Sequence, residues 1–251
     1  MYATYVIWSK HMTKFFRSAE QVIGLAVQSV LWVLLFGVGM SGFIGTVEGF
    51  DYMSFMLPGI IALGALGGAV GGGLILLEER LHGVTRGYLV APIPRLSILL
   101  ATAWSTVTKS LFQALLMLIV GLLMGAHLVV QPLGWLVAVV LMICFALGFS
   151  GMALAMAAQS RSIMGYHGMI FLFNLPLLFA SNALYPLAAL PGWMQTVVLF
   201  NPTTYFIDTV RMLVFGIPPT LPMALSVGVL LLFALAGIGL AFLSFRQSLR
   251  A

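Results

Sequence analysis

Long apolar segments alternate with short polar ones along this chain of 251 residues. A helix needs about 20 apolar residues to cross about 30 Å of hydrocarbon, and six segments reach or approach that length. Their apolar residues are continuous, whereas the strands of a membrane β-barrel alternate, and open strand edges are not tolerated in lipid. The pattern predicts an all-α membrane protein with six transmembrane helices, at residues 21–41, 55–77, 110–125, 133–158, 163–185 and 221–245.

The first 20 residues predict an amphipathic helix that lies in the membrane interface. Apolar residues recur there every three or four positions, and charged residues occupy the opposite face. The helix is either a simple anchor or a lever that connects the motion of a partner to the first membrane helix. The predicted apolar face comprises Tyr5, Trp8, Met12, Phe15 and Ala19, and the charged face comprises Lys10, Lys14 and Arg17.

Composition changes this picture little, because 62% of the residues are hydrophobic and 7% are charged, whereas soluble chains carry about 25% charge. The single Cys144 excludes an internal disulfide and a cysteine cluster for metal. We expect no catalytic residue, no metal site and no cleavable signal peptide. The net charge of +5 reflects membrane orientation and contact with lipid headgroups, and we expect no nucleic-acid partner.

The positions of Lys and Arg predict the orientation, since these residues accumulate on the cytoplasmic side of a membrane. Six helices place both termini and the polar loop at residues 78–97 on one face, which we expect to be cytosolic, with Glu48 and Asp51 outside. We expect Lys109 near a membrane boundary; the alternative is a buried functional lysine, which would need an acidic partner in another span. The cytosolic face would carry Lys10, Lys14, Arg17, Arg80, Arg86, Arg95, Arg161, Arg246 and Arg250, and the outer face Arg211.

Two patterns concern the packing of helices. Gly64, Gly68 and Gly72 recur every four residues, which predicts a close helix contact, either within one subunit or at a mobile interface. The fifth predicted helix carries a polar and aromatic stripe, although Pro176 is expected to kink it. This stripe either hydrogen-bonds to other helices or lines a substrate route, and it comprises His167, Phe171, Asn174, Leu178, Ser181 and Tyr185.

Residues 186–220 are apolar, but their prolines interrupt them too often for a membrane span. Asn201 followed by Pro202 predicts the N-cap and first position of a short helix, and Gly216 predicts its end. We expect an external re-entrant segment that dips into the outer leaflet. The short helix carries an acidic and a basic residue three positions apart, which form either a plain surface ion pair or a functional pair: Asp208 and Arg211.

Two segments carry a family resemblance. The loop reads LEERLHGVTRGYLVAPIPRLSILL, with acidic residues, a Gly-x-x-x-Gly spacing and an Ala-Pro-Ile-Pro-Arg turn. The later segment reads ALYPLAALPGWMQTVVLFNPTTYFIDTVRMLVFG, with Tyr-Pro, Pro-Gly-Trp, Asn-Pro and Asp-x-x-Arg in order. Together they resemble the type-2 ABC exporter permeases, particularly the stand-alone six-helix subunits of drug, lipid and nodulation-factor exporters. The resemblance covers nearly the whole chain.

The resemblance implies one permease domain over residues 1–251, with an interfacial helix at 1–20, a coupling loop at 78–97 and an external segment at 186–220. The coupling loop would rest on a separate ATP-binding subunit, present in two copies, which binds ATP and Mg. This chain lacks the phosphate-binding pattern GxxxxGK[ST]. The residues implied in coupling are Glu78, Glu79, Arg80, Gly83, Thr85 and Arg86, with Pro92, Pro94 and Arg95 turning the chain back.

The family also works as a dimer of permeases, so we expect a homodimer, multi-pass in the cell membrane with both termini cytoplasmic. Its function would be ATP-driven export of a hydrophobic or amphiphilic solute, such as a drug, a lipid or a lipid-linked glycan, by alternating access. The alternative is a secondary transporter driven by an ion gradient, which needs ionisable residues at membrane depth. The implied path residues are Gln28, Trp32, Phe36, Phe171, Asn174 and Ser181, and the implied external residues are Asn201, Pro202, Asp208 and Arg211.

Overall fold

The computed structural model describes residues 2–47, 49–84, 87, 94–129 and 131–248, and these residues are nearly all helical. A short antiparallel hairpin, β1 (Thr46–Val47) with β2 (Phe50–Asp51), was not indicated by the sequence. The α-helices are α1 Tyr2–Arg17, α2 Ala19–Trp32, α3 Gly39–Ile44, α4 Tyr52–Leu81, α5 Arg95–Leu123, α6 Pro132–Gln159, α7 Ile163–Phe179, α8 Gly192–Leu199, α9 Pro202–Phe215 and α10 Met223–Ser248. A π-helix (Val33–Val38) joins α2 to α3, and a 3-10 turn (Leu187–Ala189) precedes α8.

Five helical segments in the described residues are long and apolar enough to cross a membrane. They correspond to five of the six predicted spans, although the helix that contains the third predicted span, α5, begins much earlier, at Arg95. The five segments are Ala19–Val38, Tyr52–Leu81, Leu96–Leu123, Pro132–Gln159 and Met223–Ser244.

The fifth predicted span is shorter than the sequence indicated. Helix α7 ends at Phe179 instead of Tyr185, and its 17 residues extend about 25 Å, which is less than the hydrocarbon thickness. Pro176 lies in its last turn, and Asn201 Nδ2 donates hydrogen bonds to the carbonyls of Leu177 and Ala180 at 2.7 and 2.6 Å. The helix therefore ends where a residue of a later segment satisfies its carbonyls.

Helix α4 lies at the centre of the bundle, where it packs against α5, α6 and α9. The three glycines spaced by four residues face α5 and not a second subunit. A Cβ atom at Gly68 would lie 2.6 Å from Ser110 Oγ, and one at Gly72 would overlap Thr106 Oγ1. Close packing within one subunit, one of the two predicted alternatives, is thus confirmed for this stripe.

Helix α1 packs against the first half of α5. Met12 and Phe15 of the predicted apolar face are buried there together with Ile7 and His11, whereas Tyr5 is 62% exposed on the surface of the bundle. Ile7 contacts the start of α5, and His11 reaches Ser105 further along it. The predicted apolar face is therefore divided between the contact with α5 and the surface.

The bundle has two ends with different contents. One, which we call the loop end, holds α1, the last turn of α4 and the junction of α6 with α7. The other, which we call the α9 end, holds the β-hairpin, α9 and the starts of α4 and α10. At the start of α4, Asp51 caps the helix by accepting hydrogen bonds from the amides of Met53 and Ser54; Glu48 lies outside the described residues.

Candidate functional site

Glu79 joins three helices at the loop end. Its Oε1 lies 2.7 Å from Lys10 Nζ and 3.2 Å from His11 Nε2, both on α1. The other ring nitrogen of His11 lies 3.2 Å from Ser105 Oγ on α5. The Glu79 side chain is only 11% exposed, so this ion pair is protected from solvent more than an ordinary surface pair. We call Glu79, Lys10 and His11 the Glu79 clamp.

The neighbouring Glu78 makes a looser contact with the same helix. Its Oε2 lies 4.0 Å from Lys14 Nζ, and both side chains are largely exposed. Between α1, α4 and α5 these residues surround a cavity of about 520 Å³, into which Lys109 of α5 also projects. Lys109 lies over the face of Phe15, with Nζ 4.9 Å from the ring centroid.

Arg80, also predicted for coupling, contacts the end of α6. Its guanidinium donates hydrogen bonds to the carbonyls of Ala158 and Ser160, which are among the carbonyls that a helix C-terminus leaves without partners. Gly83 ends α4 with a φ of 75°, a left-handed conformation that favours glycine. These two residues fix the geometry of the loop end, while Thr85, Arg86 and Pro92 lie outside the described residues.

The predicted path residues of the first membrane helix lie together on one side of it. Gln28 is exposed on α2, and its Oε1 accepts a hydrogen bond of 3.4 Å from Gln113 of α5. Trp32 and Phe36 stack with their ring centroids 5.3 Å apart. Phe36 lies in the π-helix, a feature that often occurs at functional sites and that the sequence did not indicate.

The predicted path residues of the fifth span do not form one stripe. Phe171 is exposed and Asn174 is half-buried on α7, but Ser181 is fully buried beyond the end of the helix. Tyr185, from the same predicted stripe, also lies beyond the end of α7, where its hydroxyl donates to the carbonyl of Phe179. The early end of α7 is the physical reason, because helical spacing stops at Phe179.

A second row of glycines on α4 was missed by the sequence reasoning. Gly67 is exposed and Gly71 is partly exposed, and a Cβ atom at either position would meet nothing within 4 Å. Leu63 and Leu74 lie on the same side at helical spacing and are also partly exposed. The signal was present in the sequence, since Gly67 and Gly71 repeat at four residues, one position before Gly68 and Gly72. We call this face the open α4 face.

At the α9 end, Asn201 begins α9 as predicted. Its Oδ1 accepts a hydrogen bond from the amide of Thr203 at 2.9 Å, and Pro202 occupies the first turn. Gly216 ends the helix with a φ of 70°. The same Asn201 side chain donates to the end of α7, as described above, so one amide group caps one helix at its start and another at its end.

Asp208 and Arg211 are buried, at 3% and 4% exposure, so the interpretation as a plain surface pair is wrong. Asp208 accepts hydrogen bonds from the amides of Thr220 and Leu221, at 3.0 and 2.9 Å, just before α10. Arg211 donates to the carbonyls of Phe55 and Asn182 at 2.9 and 2.7 Å and lies 3.7 Å from the Phe55 ring centroid. Helix α9 thereby holds α4, α7 and α10 in place.

These contacts join helices and connecting segments to one another. Within the described ranges, no group of three or more His, Cys, Asp or Glu side chains is placed to hold a metal ion. The charged residues instead connect helices. At the loop end they do so through side-chain pairs and through the bonds of Arg80 to backbone carbonyls, and at the α9 end through bonds to backbone groups.

Comparisons with known proteins agree with this architecture. The model of the ABC-2 type transporter family matches residues 2–215. A transport permease of Cyanophora paradoxa, ycf38, is 31% identical over 74% of this chain and 65% of its own length, so the chain spans about two thirds of that relative.

Two further relatives are covered more fully. The inner membrane transport permease YadH of Escherichia coli is 24% identical over 92% of this chain and 89% of its own length. DrrC of Mycobacterium tuberculosis, which is named for a doxorubicin resistance ABC transporter permease, is 29% identical over 84% and 76%. With a family model that matches most of its length, this multi-pass membrane chain belongs to the ABC-2 type transporter family.

Proposed function

We propose that this chain is the membrane permease subunit of an ATP-driven ABC exporter for a hydrophobic or amphiphilic solute. The family membership supports a permease, and the drug resistance in the name of DrrC supports outward transport of an apolar compound. ATP and Mg would bind to two copies of a separate ATP-binding subunit. The chain itself is a transport subunit without enzymatic activity, placed in the inner or plasma membrane as the name of YadH indicates.

The observation that carries this proposal is the Glu79 clamp. Glu79 belongs to residues 78–97 and lies in the last turn of α4, where it contacts two side chains of α1. Arg80, next along the chain, contacts the end of α6. A subunit that pushes on this loop would therefore move α1, α4 and α6 together, which favours α1 as a lever over α1 as a simple anchor.

The solute path in this proposal runs along the open α4 face. The π-helix and α7 both contact α4, and they carry the exposed or half-buried Phe36, Phe171 and Asn174. A second copy of the chain facing Gly67 and Gly71 would enclose a largely apolar route between the two copies. When the ATP-binding subunits close, the loop ends would approach each other and the route would open at the other side, as alternating access requires.

The α9 end is, in the same proposal, the outer side of the membrane. Lys and Arg are concentrated near the loop end, which supports a cytosolic position for that end and for both termini. Residues 180–221 then enter the outer leaflet and return to its outer surface. Helix α7, which is too short to cross the membrane alone, forms the sixth span together with this segment. Asn201, Pro202, Asp208 and Arg211 hold the segment over the outer end of the route.

The test is reconstitution with the ATP-binding subunit that copurifies with the tagged permease. The variant Glu79→Gln keeps the shape of the side chain but removes the charge that Lys10 and His11 contact. We expect the permease to insert and to copurify, while its stimulation of ATP hydrolysis falls at least about fivefold, the lower range of coupling between distant sites. The matched control is Glu20→Gln, which removes an exposed carboxylate at the start of α2.

Three outcomes would contradict this proposal in different ways. Stimulation by Glu79→Gln at the level of the unmodified chain would refute the role of the clamp. An equal loss in Glu20→Gln would assign the effect to net charge. Failure of any ATP-binding subunit to copurify with the unmodified chain, together with transport that depends on a proton gradient, would favour the secondary transporter instead.

A further inference from the structure

The cavity at the loop end combines a cationic rim with an apolar wall. Its lining includes three lysines, Lys10, Lys14 and Lys109, against two carboxylates, Glu78 and Glu79. Its wall on α4 is formed by Gly71, Leu74 and Ile75. At about 520 Å³, the cavity falls within the range of small-molecule sites in proteins, about 300–1,000 Å³.

The two carboxylates of the cavity do not neutralise the charges of its three lysines equally. Glu79 contacts Lys10 at 2.7 Å, and Glu78 reaches Lys14 only at 4.0 Å. In the part of the chain that the structure describes, Lys109 has no carboxylate within 4.0 Å, and its contact is with the ring of Phe15. Among the described residues, Lys14 and Lys109 thus share the single carboxylate of Glu78, which leaves an excess of positive charge toward the cavity.

The position of Lys109 requires an explanation. It lies in the middle of α5, a helix of 29 residues, and it is half-buried among α1, α4 and α5. A lysine inside a membrane helix is costly, and such residues usually have a specific partner. Basic pockets between membrane helices are known to bind the phosphate groups of anionic lipids.

We propose that this cavity binds an anionic phospholipid, with the headgroup phosphate between Lys14 and Lys109 and an acyl chain along Gly71, Leu74 and Ile75. Gly71 and Leu74 belong both to this wall and to the open α4 face, so the acyl chain would extend from the cavity along that face. The bound lipid would connect α1 to α5 beside the Glu79 clamp. Binding of this lipid does not depend on transport or on an ATP-binding subunit.

The experiment measures lipid binding to the purified full-length permease by native mass spectrometry. Phosphatidylglycerol is the probe, and phosphatidylcholine with the same acyl chains tests the requirement for net negative charge. Glycerol 3-phosphate tests whether a free phosphate compound is sufficient. The variants are Lys109→Gln, which removes the charge, and Lys109→Arg, which keeps it. The matched control is Arg161→Gln, which removes an exposed charge at the same end of the bundle, outside the cavity.

We expect Lys109→Gln to weaken phosphatidylglycerol binding about fivefold, the effect of one lysine near an anionic headgroup. Lys109→Arg and Arg161→Gln should stay within about twofold of the unmodified chain. If Lys109→Gln does not fold, Lys14→Gln carries the same expectation, because Lys14 is 67% exposed and its removal leaves the packing intact.

Several results would overturn the proposal. Unchanged binding in Lys109→Gln, or in Lys14→Gln where that variant replaces it, would remove the lysines from the site. An equal loss in Arg161→Gln would show general attraction to the basic surface, and equal binding of phosphatidylcholine would show that the site does not select a lipid with net negative charge. Equally tight binding of glycerol 3-phosphate would assign the cavity to a water-soluble phosphate compound and refute the lipid.

Discussion

The two ends of this helix bundle are held together by different kinds of contact. At the loop end, the acidic side chains of α4 contact basic side chains of α1. Three of the five paired side chains are 37–67% exposed, whereas Glu79 and His11 are 11% and 2% exposed. At the α9 end, Asn201, Asp208 and Arg211 are buried and bond to backbone groups of other segments. The loop end is held mainly by contacts between side chains, whereas at the α9 end the side chains bind backbone groups of other segments.

The difference has a physical consequence for motion. Exposed ion pairs contribute only about 0.2–1 kcal/mol each, so the contact between Glu78 and Lys14 can break and form again at small cost. A buried donor or acceptor that loses its partner costs about 1–3 kcal/mol, so the contacts of α9 oppose any rearrangement. The loop end is therefore suited to receive a movement, and the α9 end is suited to keep its shape while the helices tilt.

The largest effect is expected for Arg211→Met, which keeps much of the side-chain volume but removes the guanidinium. The carbonyls of Phe55 and Asn182 would lose a charged donor in a buried site. We expect a loss of about 3 kcal/mol in the free energy of unfolding, measured by denaturation of the purified protein in detergent. The control Arg161→Met makes the same change at an exposed position; an equal loss there would break the comparison between the ends.

An intermediate effect is expected at Asn201, where two substitutions separate its two contacts. Asn201→Ala removes the cap of α9 and both hydrogen bonds to α7, and should cost about 2 kcal/mol. Asn201→Asp keeps an acceptor for the amide of Thr203 but loses the donors to Leu177 and Ala180. The Asp variant should be nearly as unstable as the Ala variant in the same denaturation experiment. Stability equal to the unmodified chain would mean that the contact with α7 contributes nothing.

The smallest effect is expected for Lys10→Gln at the loop end. Removing this half-exposed ammonium should lower the free energy of unfolding by less than about 1 kcal/mol, although one contact of the Glu79 clamp is lost. The deficit should also disappear when the ionic strength is raised from about 0.1 to 1 M, because salt screens exposed pairs. The deficit of Arg211→Met should persist in salt. A salt-independent loss of several kcal/mol in Lys10→Gln would refute the difference between the ends.

Local patterns in the sequence were sufficient for the helices and for some of their ends. The continuous apolar run at residues 133–158 predicted α6 almost to the residue, because a membrane helix satisfies its own backbone and needs no partner to define it. Asn201, Pro202 and Gly216 were assigned correctly, since capping depends on a few adjacent residues. The glycines that face α5 were also identified from spacing alone.

Contacts between distant parts of the chain were beyond such patterns. Arg211 bonds to Phe55, 156 positions away, and nothing in a local window distinguishes this arginine from one in a surface pair. The end of α7 was placed too late because Asn201, a residue of another segment, satisfies its last carbonyls. Each error concerns a partner that only the folded structure supplies.

The contact between α6 and α10 limits which helices can change position. Gly151 of α6 and Gly237 of α10 bring the two backbones together, and a Cβ atom at either residue would overlap the opposite main chain. Sliding of packed helices proceeds through small shifts of interlocked side chains, and at this crossing there are no side chains to shift. We therefore expect α6 and α10 to move as one rigid unit in any conformational cycle. Relative displacement would then fall on other elements, such as the π-helix and α7, which contact α4.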